Sequence, residues 1–314
     1  MKPYYNSAHG RIYQGNALDV MFQEMPPKSV NTVIASPPYW GLRDYGVDGQ
    51  IGLEKTPEEY VEKIVEIFQE IKRVLRDDGT VWLNLGDSYS GSGGWAGCKE
   101  GVSLSTTNMK AKANDVSIKS LDTGLKPKDL VGIPWRVAFA LQADGWYLRQ
   151  DIVWHKPNPM PESVTDRCTK AHEYLFLLSK NQKYYYGADA IKEDAKEIAK
   201  YNVRPNSNPN TIDRGYEADG KTYEKVNKRS VWTISTQPFH GAHFAVFPEK
   251  LVEPCVLAGC PEGGVVLDPF FGSGTTGLVA YKCKRKFIGV DLNPEYCEIA
   301  KQRIIKHTLQ MRLW

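Results

Sequence analysis

The chain has 314 residues, 41% of them hydrophobic, and carries 40 Lys and Arg against 37 Asp and Glu for a net charge of +3. That length and apolar content suffice for a buried core and argue against disorder, while a charge this close to balance excludes a polycationic nucleic-acid tail. No stretch reaches the ~18 apolar residues of a membrane span, and the opening MKPYYNSAHGRIYQG has no apolar signal core, so a soluble, cytosolic protein is expected.

The cysteines at 98, 168, 255, 260, 283 and 297 form no C-x-x-C pair, which points to reduced, mostly buried thiols and to no metal site. Residues 30–35 (VNTVIA) and 79–85 (GTVWLNL) are short apolar runs bounded by turn residues, as buried strands of an α/β sheet are. Between them Thr56 can cap a helix, Pro57 suits its first turn and Glu59 completes a capping box. The apolar set Val61, Ile64, Val65, Phe68, Ile71, Val74 and Leu75 then follows helical spacing. A second helix is predicted over 134–143, stopped by Gly145, and 147–156 and 172–180 read as two strands. KLVEPCVLAG reads as a helix ending at Gly259. Residues 265–267 form a strand, DPFFGSGTT turns into a helix running through Tyr281, and 287–292 (FIGVDL) is the next strand. Asn293 and Pro294 cap a closing helix with Tyr296, Ile299, Ala300 and Ile304 on its apolar side. This is a βαβ unit, and the fold class is α/β with a mostly parallel sheet. Residues 88–128, with 6 Lys against 3 acids, and 187–230, with 9 Lys or Arg against 8 acids, interrupt the pattern as long polar loops. Loops of that length inside a domain are functional or solvated.

Gly272-Ser-Gly274-Thr-Thr-Gly277 matches G-x-G-x-x-G after a strand, and Asp291 lies 19 residues beyond Gly272, placed to bind ribose hydroxyls. Alone this suggests a nicotinamide dehydrogenase. Only 23 residues follow Asp291, however, so the remaining strands of the sheet must come from earlier in the chain, and the second mononucleotide unit of a dehydrogenase is absent. Asp268-Pro269-Phe270 precedes the glycines, where the aromatic can pack near an adenosine.

Directly after the strand at 30–35 comes Ser36-Pro37-Pro38-Tyr39-Trp40, at a carboxyl end, where open α/β sheets bind ligands. Two prolines fix two φ angles and remove two donors, leaving carbonyl oxygens as acceptors. The Ser36 hydroxyl and a Pro-Pro carbonyl can accept both hydrogens of an exocyclic amine, turning its lone pair toward an incoming methyl group, with Tyr39 stacking on the base.

Together these motifs resemble the amino-methyltransferase family of DNA methylases in its permuted β-class arrangement, in which the catalytic S/D/N-P-P-Y/F/W precedes the cofactor motif D-P-F-x-G-S-G-T-T. The resemblance implies one permuted domain over 1–314 with a Rossmann-like class I methyltransferase fold and S-adenosyl-L-methionine as cofactor. It implies that Phe270, Gly272 and Gly274 line the cofactor, with Asp268 and Thr275 in the same motif, that Asp291 binds the ribose, and that the region of Asn16, where many relatives have Asp, approaches the adenine. The segment HFAVFPEKL (243–251) would cover the methionine end. Trp40 and Arg43 are expected at the DNA. The leading serine, where adenine enzymes of the family more often have Asp or Asn, favours N4 of cytosine over N6 of adenine.

The implied substrate is double-stranded DNA, flipped to expose the base. Residues 187–230 then serve as the target-recognition region and 88–128 as a second clamp. A cognate restriction endonuclease is a possible partner, and the setting is prokaryotic or phage-type, nucleoid-associated cytoplasm. His155 and His172 are expected to be structural. Pro254-Cys255 offers the dipeptide of a C5-cytosine methylase, but its apolar helical surroundings favour a buried thiol. The whole reading requires Ser36 and Gly272 to line one pocket.

Overall fold

The computed structural model describes residues 1–42, 44–91, 122–194, 225–236 and 247–311. Arg43, the bulk of the two long loops and the first four residues of the 243–251 segment lie outside the described residues. The elements in chain order are β1 (Tyr5–Asn6), β2 (Gly10–Gln14), α1 (Ala17–Glu24), β3 (Val30–Ala35), α2 (Pro57–Val74), β4 (Leu75–Leu85), α3 (Ile133–Ala143), β5 (Tyr147–His155) and β6 (His172–Ser179). Then follow β7 (Glu193–Asp194), β8 (Lys225–Val226), β9 (Val231–Thr233), α4 (Glu249–Gly259), β10 (Val265–Asp268), α5 (Thr275–Lys282), β11 (Lys286–Asp291) and α6 (Pro294–Met311).

Local chemistry accounts for the boundaries. At the start of α2 the Thr56 hydroxyl accepts the Glu59 N–H at 3.2 Å, while the Glu59 carboxylate reaches past Thr56 to the Lys55 N–H at 3.0 Å. The capping box thus closes one residue further back than the sequence predicts. Tyr60, Ile64, Ile67, Phe68, Ile71 and Val74 form the buried stripe of α2, the helical spacing that drives the element onto the sheet. A left-handed Gly132 (φ 80°) starts α3, and Gly145 (φ 88°) reverses the chain after it.

Among the described residues, nine strands form one sheet in the order β1-β2-β11-β10-β3-β4-β6-β5-β9. The run β2-β11-β10-β3-β4 is parallel throughout; β6 runs antiparallel to both β4 and β5, and β9 is parallel to β5. The apolar faces of α1, α2 and α3 share a core with one side of the sheet, and those of α4, α5 and α6 with the other. From β3 the chain crosses through α2 to β4 on one side, and from β10 through α5 to β11 on the other. The winding therefore reverses between β10 and β3, where a doubly wound sheet opens a ligand crevice beyond its carboxyl ends.

Candidate active site

The strand register brings the two motifs together. Leu267 pairs with Val33, Asp268 with Gly289, and Asp291 with Gln14. Four adjacent parallel strands, spaced about 4.8 Å apart, thus deliver Asn16, Asp291, the Asp268 turn and Ser36 to the same edge. They line one cavity of about 530 Å³, whose wall also includes Pro37, Pro38, Tyr39, Phe270, Gly272 and Thr275. Ser36 and Gly272 line one pocket.

Phe271 N–H donates to Val290 O at 2.8 Å, and the Phe271 ring stacks on Phe287 at 5.9 Å in the core. A Cβ at Gly289 would lie 2.3 Å from that ring, so only glycine leaves room for it. Both Phe270 and Phe271 border the cavity, and with Phe271 only 3% exposed, Phe270 is the one of the pair that offers it more surface. Asp268 accepts the Phe270 N–H at 3.0 Å and the Thr276 hydroxyl at 2.6 Å. Asp291 accepts the Gly272 N–H on Oδ2 at 2.6 Å and the Asn293 N–H on Oδ1 at 2.9 Å. Each of its oxygens keeps a lone pair for a ligand hydroxyl. Arg303 of α6 latches the turn from outside, donating to the Ser273 carbonyl at 2.7 Å and the Thr275 hydroxyl at 3.1 Å. Asn16 caps α1 through its Oδ1, 2.9 Å from the Leu18 N–H, a task Asp would perform equally well.

Gly274 does not join the cavity wall. It sits at φ 78°, and a Cβ there would lie 2.7 Å from the Ala300 Cβ, so this glycine serves the close approach of α5 and α6.

The serine-led turn is braced from below. The Pro38 carbonyl accepts the hydroxyl of buried Tyr60 at 2.9 Å, which leaves the Pro37 carbonyl as the acceptor to pair with Ser36. The Tyr39 hydroxyl donates to Asn84 Oδ1 at 2.8 Å and to Glu173 Oε2 at 2.9 Å, sharing one proton between them. Burial, followed by the nearby Glu173 charge, pushes this phenol well above its ordinary value of 10.0, so it stays a neutral donor. Trp40, expected at the DNA, is instead 3% exposed with its indole N–H on Glu54 O at 2.9 Å. The bulky ring packs under the turn and supports it. Around the opening, Leu42, Tyr45, Val47, Gln50 and Ile51 complete the wall, with Tyr45 edge-on to Tyr296 at 6.3 Å. The spacing of positive-φ glycines at 41, 46, 49 and 52 was the available signal for this loop.

Gly86 fixes where Tyr39 lies, because a Cβ at 86 would fall 2.5 Å from the Tyr39 Cε2. Gly86→Ala should therefore displace the ring and lower turnover on the order of a hundredfold, the cost of a misplacement of about 1 Å. Cofactor affinity, measured by titration calorimetry beside the kinetics, should not change.

Cys255 is not among the residues that line the cavity. It is 1% exposed on α4, its thiol donates to Leu251 O at 3.2 Å, and burial pushes its pKa strongly upward, so it is no thiolate nucleophile.

A family model described as DNA methylase, N6_N4_Mtase, matches residues 30–302. The chain belongs to this family of DNA amino-methyltransferases. It is 48% identical over 296 residues to the Type II methyltransferase M.Cfr9I of Citrobacter freundii, covering 93% of this chain and 87% of that protein. It is 47% identical over 298 residues to M.SmaI of Serratia marcescens, covering 94% and 91%. Its fold is similar to that of the PvuII DNA methyltransferase (cytosine-N4-specific), with a TM-score of 0.63 at 21% identity over 96% of this chain and 88% of that one. A putative DNA modification methylase of Thermus thermophilus, solved with S-adenosyl-L-methionine, aligns at a TM-score of 0.58 and 21% identity, covering 94% and 93%. The DNA methylase fold is thus the class I arrangement expected from the motifs.

The cofactor of this methylase family is S-adenosyl-L-methionine, and the cavity suits it. Its volume falls within the ~300–1,000 Å³ of small-molecule sites. Asp291 offers acceptors for two ribose hydroxyls, and the Asp268–Asp291 pair suits a ligand carrying sulfonium and ammonium charge. Burial raises Asp268 to about 7 and Asp291 to about 6, from an ordinary 3.8, against the hydrogen bonds that lower them. A raised carboxyl contributes stability that is complete below 3.8 and is lost as pH rises through about 6 and 7. A cationic ligand favours the ionised forms, so cofactor affinity should run the other way. It should fall about tenfold per unit as pH drops below about 7, and more steeply below about 6. Calorimetry at pH 6.5 in two buffers of different ionisation enthalpy should register proton release on binding.

Proposed function

We propose that this methylase transfers the methyl group to the exocyclic N4 amine of cytosine in double-stranded DNA, acting on a base flipped into the cavity. The observation that carries the reading is Ser36 at the carboxyl end of β3, in the cavity wall that also holds the Asp268–Asp291 turn. Its hydroxyl and the Pro37 carbonyl accept the two amine hydrogens, drawing the conjugated amine toward tetrahedral and aiming its lone pair across the crevice. S-adenosyl-L-methionine would supply an electrophilic methyl group to that lone pair, and the methylated amine would release a proton to solvent. Ser36 is an acceptor and not a nucleophile, so no covalent enzyme adduct forms. A hydroxyl in place of the family's Asp or Asn favours cytosine over adenine.

Residues 187–230 and 88–128 serve as target-recognition region and clamp, and Arg43 as a DNA contact, because reading base edges in the grooves takes polar side chains. The Type II names of the relatives favour a cytoplasmic role beside a restriction endonuclease of the same specificity. Among the described residues no helix is long and apolar enough to cross a membrane. The test is to incubate the protein with unmethylated plasmid DNA and labelled cofactor, digest to nucleosides and identify the product by mass spectrometry. N4-methylcytosine supports the reading; N6-methyladenine keeps the enzyme and overturns the base.

A further inference from the structure

On the β4 side of the switch point the cavity wall continues onto the ends of β5 and β6, where it includes Trp154, Lys156 and Glu173. Trp154 stands opposite Glu173 in the ladder, and the Lys156 N–H extends the pairing to Ala171 O at 2.8 Å. The Lys156 ammonium is ion-paired with Glu173 Oε1 and lies 4.3 Å from the centroid of the Trp154 ring. The two side chains are only 18% and 16% exposed. An ion pair so far removed from water carries a desolvation cost that a surface pair does not, and it is weak evidence of a stabilising role. It is also wired to the clamp, since Glu173 Oε2 accepts from the hydroxyl of Tyr39, which lies three residues after Ser36 in the same proline turn.

An ammonium has three N–H donors and no acceptor. Glu173 takes one and the Trp154 ring flanks the ammonium, which leaves donor capacity for a ligand in the cavity that Lys156 lines. The Asn84 side chain, the next polar group along the wall, is committed to Tyr39 and to the Tyr174 carbonyl. Beyond its amine, cytosine presents two acceptors on the same edge, N3 and the O2 carbonyl. Adenine carries a C–H where cytosine carries O2.

We propose that Lys156 binds the flipped base by donating a hydrogen bond to the O2 carbonyl of cytosine, and that Glu173 is the positioning residue that aims it. The inference rests on the cytosine reading and adds to it the group that reads the far side of the ring. Because the contact exists before and during methyl transfer, its loss should weaken DNA binding more than it slows chemistry.

The experiment uses the full chain and a duplex oligonucleotide carrying the site mapped from wild-type methylation, with the target cytosine either intact or replaced by an analogue lacking O2. Wild-type kcat/KM should fall about tenfold or more on the analogue, as expected for a lost hydrogen bond to a charged group. Lys156→Met should lose a similar factor on intact DNA, mainly in KM, and lose little more on the analogue. Glu173→Gln should fall between the two with kcat kept. Since K156M leaves Glu173 buried without its partner, the double variant K156M/E173Q is run beside it, and cofactor affinity reports that each protein is folded. A wild type indifferent to O2, or a double variant penalised on the analogue as heavily as the wild type, overturns the proposal while N4-methylcytosine as product leaves the base assignment standing. N6-methyladenine from the wild type overturns both, and the nucleoside analysis identifies that case before the variants are compared.

Discussion

Ser36→Ala should lower turnover on unmethylated DNA by roughly a hundredfold or more, the effect of deleting one preorganised hydrogen-bonding group at a reacting centre. Cofactor affinity should stay within about twofold of the wild type. The asymmetry follows from the sheet. Ser36 leaves β3, whereas the groups proposed to hold the cofactor leave β10, β11 and β2, and none of the hydrogen bonds of the glycine turn passes through Ser36. The turn itself should survive, because two prolines, the Tyr60 bond to the Pro38 carbonyl and the Tyr39 network hold it independently of the serine hydroxyl. Without that hydroxyl one amine hydrogen has no acceptor, and the lone pair stays conjugated with the ring. Single-turnover kinetics with calorimetry on the same preparation measures both halves. Unchanged turnover would remove Ser36 from the site; Ser36→Asn, which restores a side-chain acceptor, should recover part of the loss.

The parts of this molecule that were legible in the sequence are those whose physics is local. The α2 stripe, the Asn293-Pro294 start of α6, the strand-turn-helix at Asp268 to Thr276 and the proline turn at 36–39 each rest on neighbours a few residues away. Even the pairing of the two motifs could be read, since a cofactor half placed last in the chain must borrow its sheet from earlier strands. The register that places β10 between β3 and β11 supplies that sheet. β1, β2 and α1 went unread because GRIYQ is short and half polar, and its strand character comes from the β11 edge it pairs with. Trp40 was misplaced for a related reason. A large aromatic after a catalytic turn serves equally well as a base contact or as core, and what settles it is an indole bond to Glu54, 14 residues away. Lys156 lies one residue past the end of β5 and Glu173 lies in β6, and no spacing rule announces an ion pair that the antiparallel β5–β6 ladder brings together.

Asp291→Ala should weaken cofactor binding by about a hundredfold or more. We propose two jobs for this one carboxylate: it ties Gly272 and Asn293 together through their N–H groups, and its remaining lone pairs accept from the ribose. Hydrogen bonds to a charged acceptor contribute about 1.5–3 kcal/mol each, so two lost ribose contacts alone amount to between about a hundredfold and ten-thousandfold in Kd. The turn loses its brace as well, at a glycine already held at φ 50°. At saturating cofactor much of kcat should return, because the amine clamp is untouched, and this KM-weighted loss is the reverse of the Ser36 pattern. Asp291→Asn separates the two jobs further. Its single carbonyl oxygen can accept from Gly272 or from Asn293 but not serve both and the ribose, so affinity should again fall. It cannot ionise, so the steeper fall in affinity below pH about 6 should vanish while the component set by Asp268 near pH about 7 persists. Calorimetric titrations of wild type and D291N from pH 5.5 to 8 test this directly. A variant with the wild-type pH profile would show that Asp291 is not the group whose ionisation the cofactor requires.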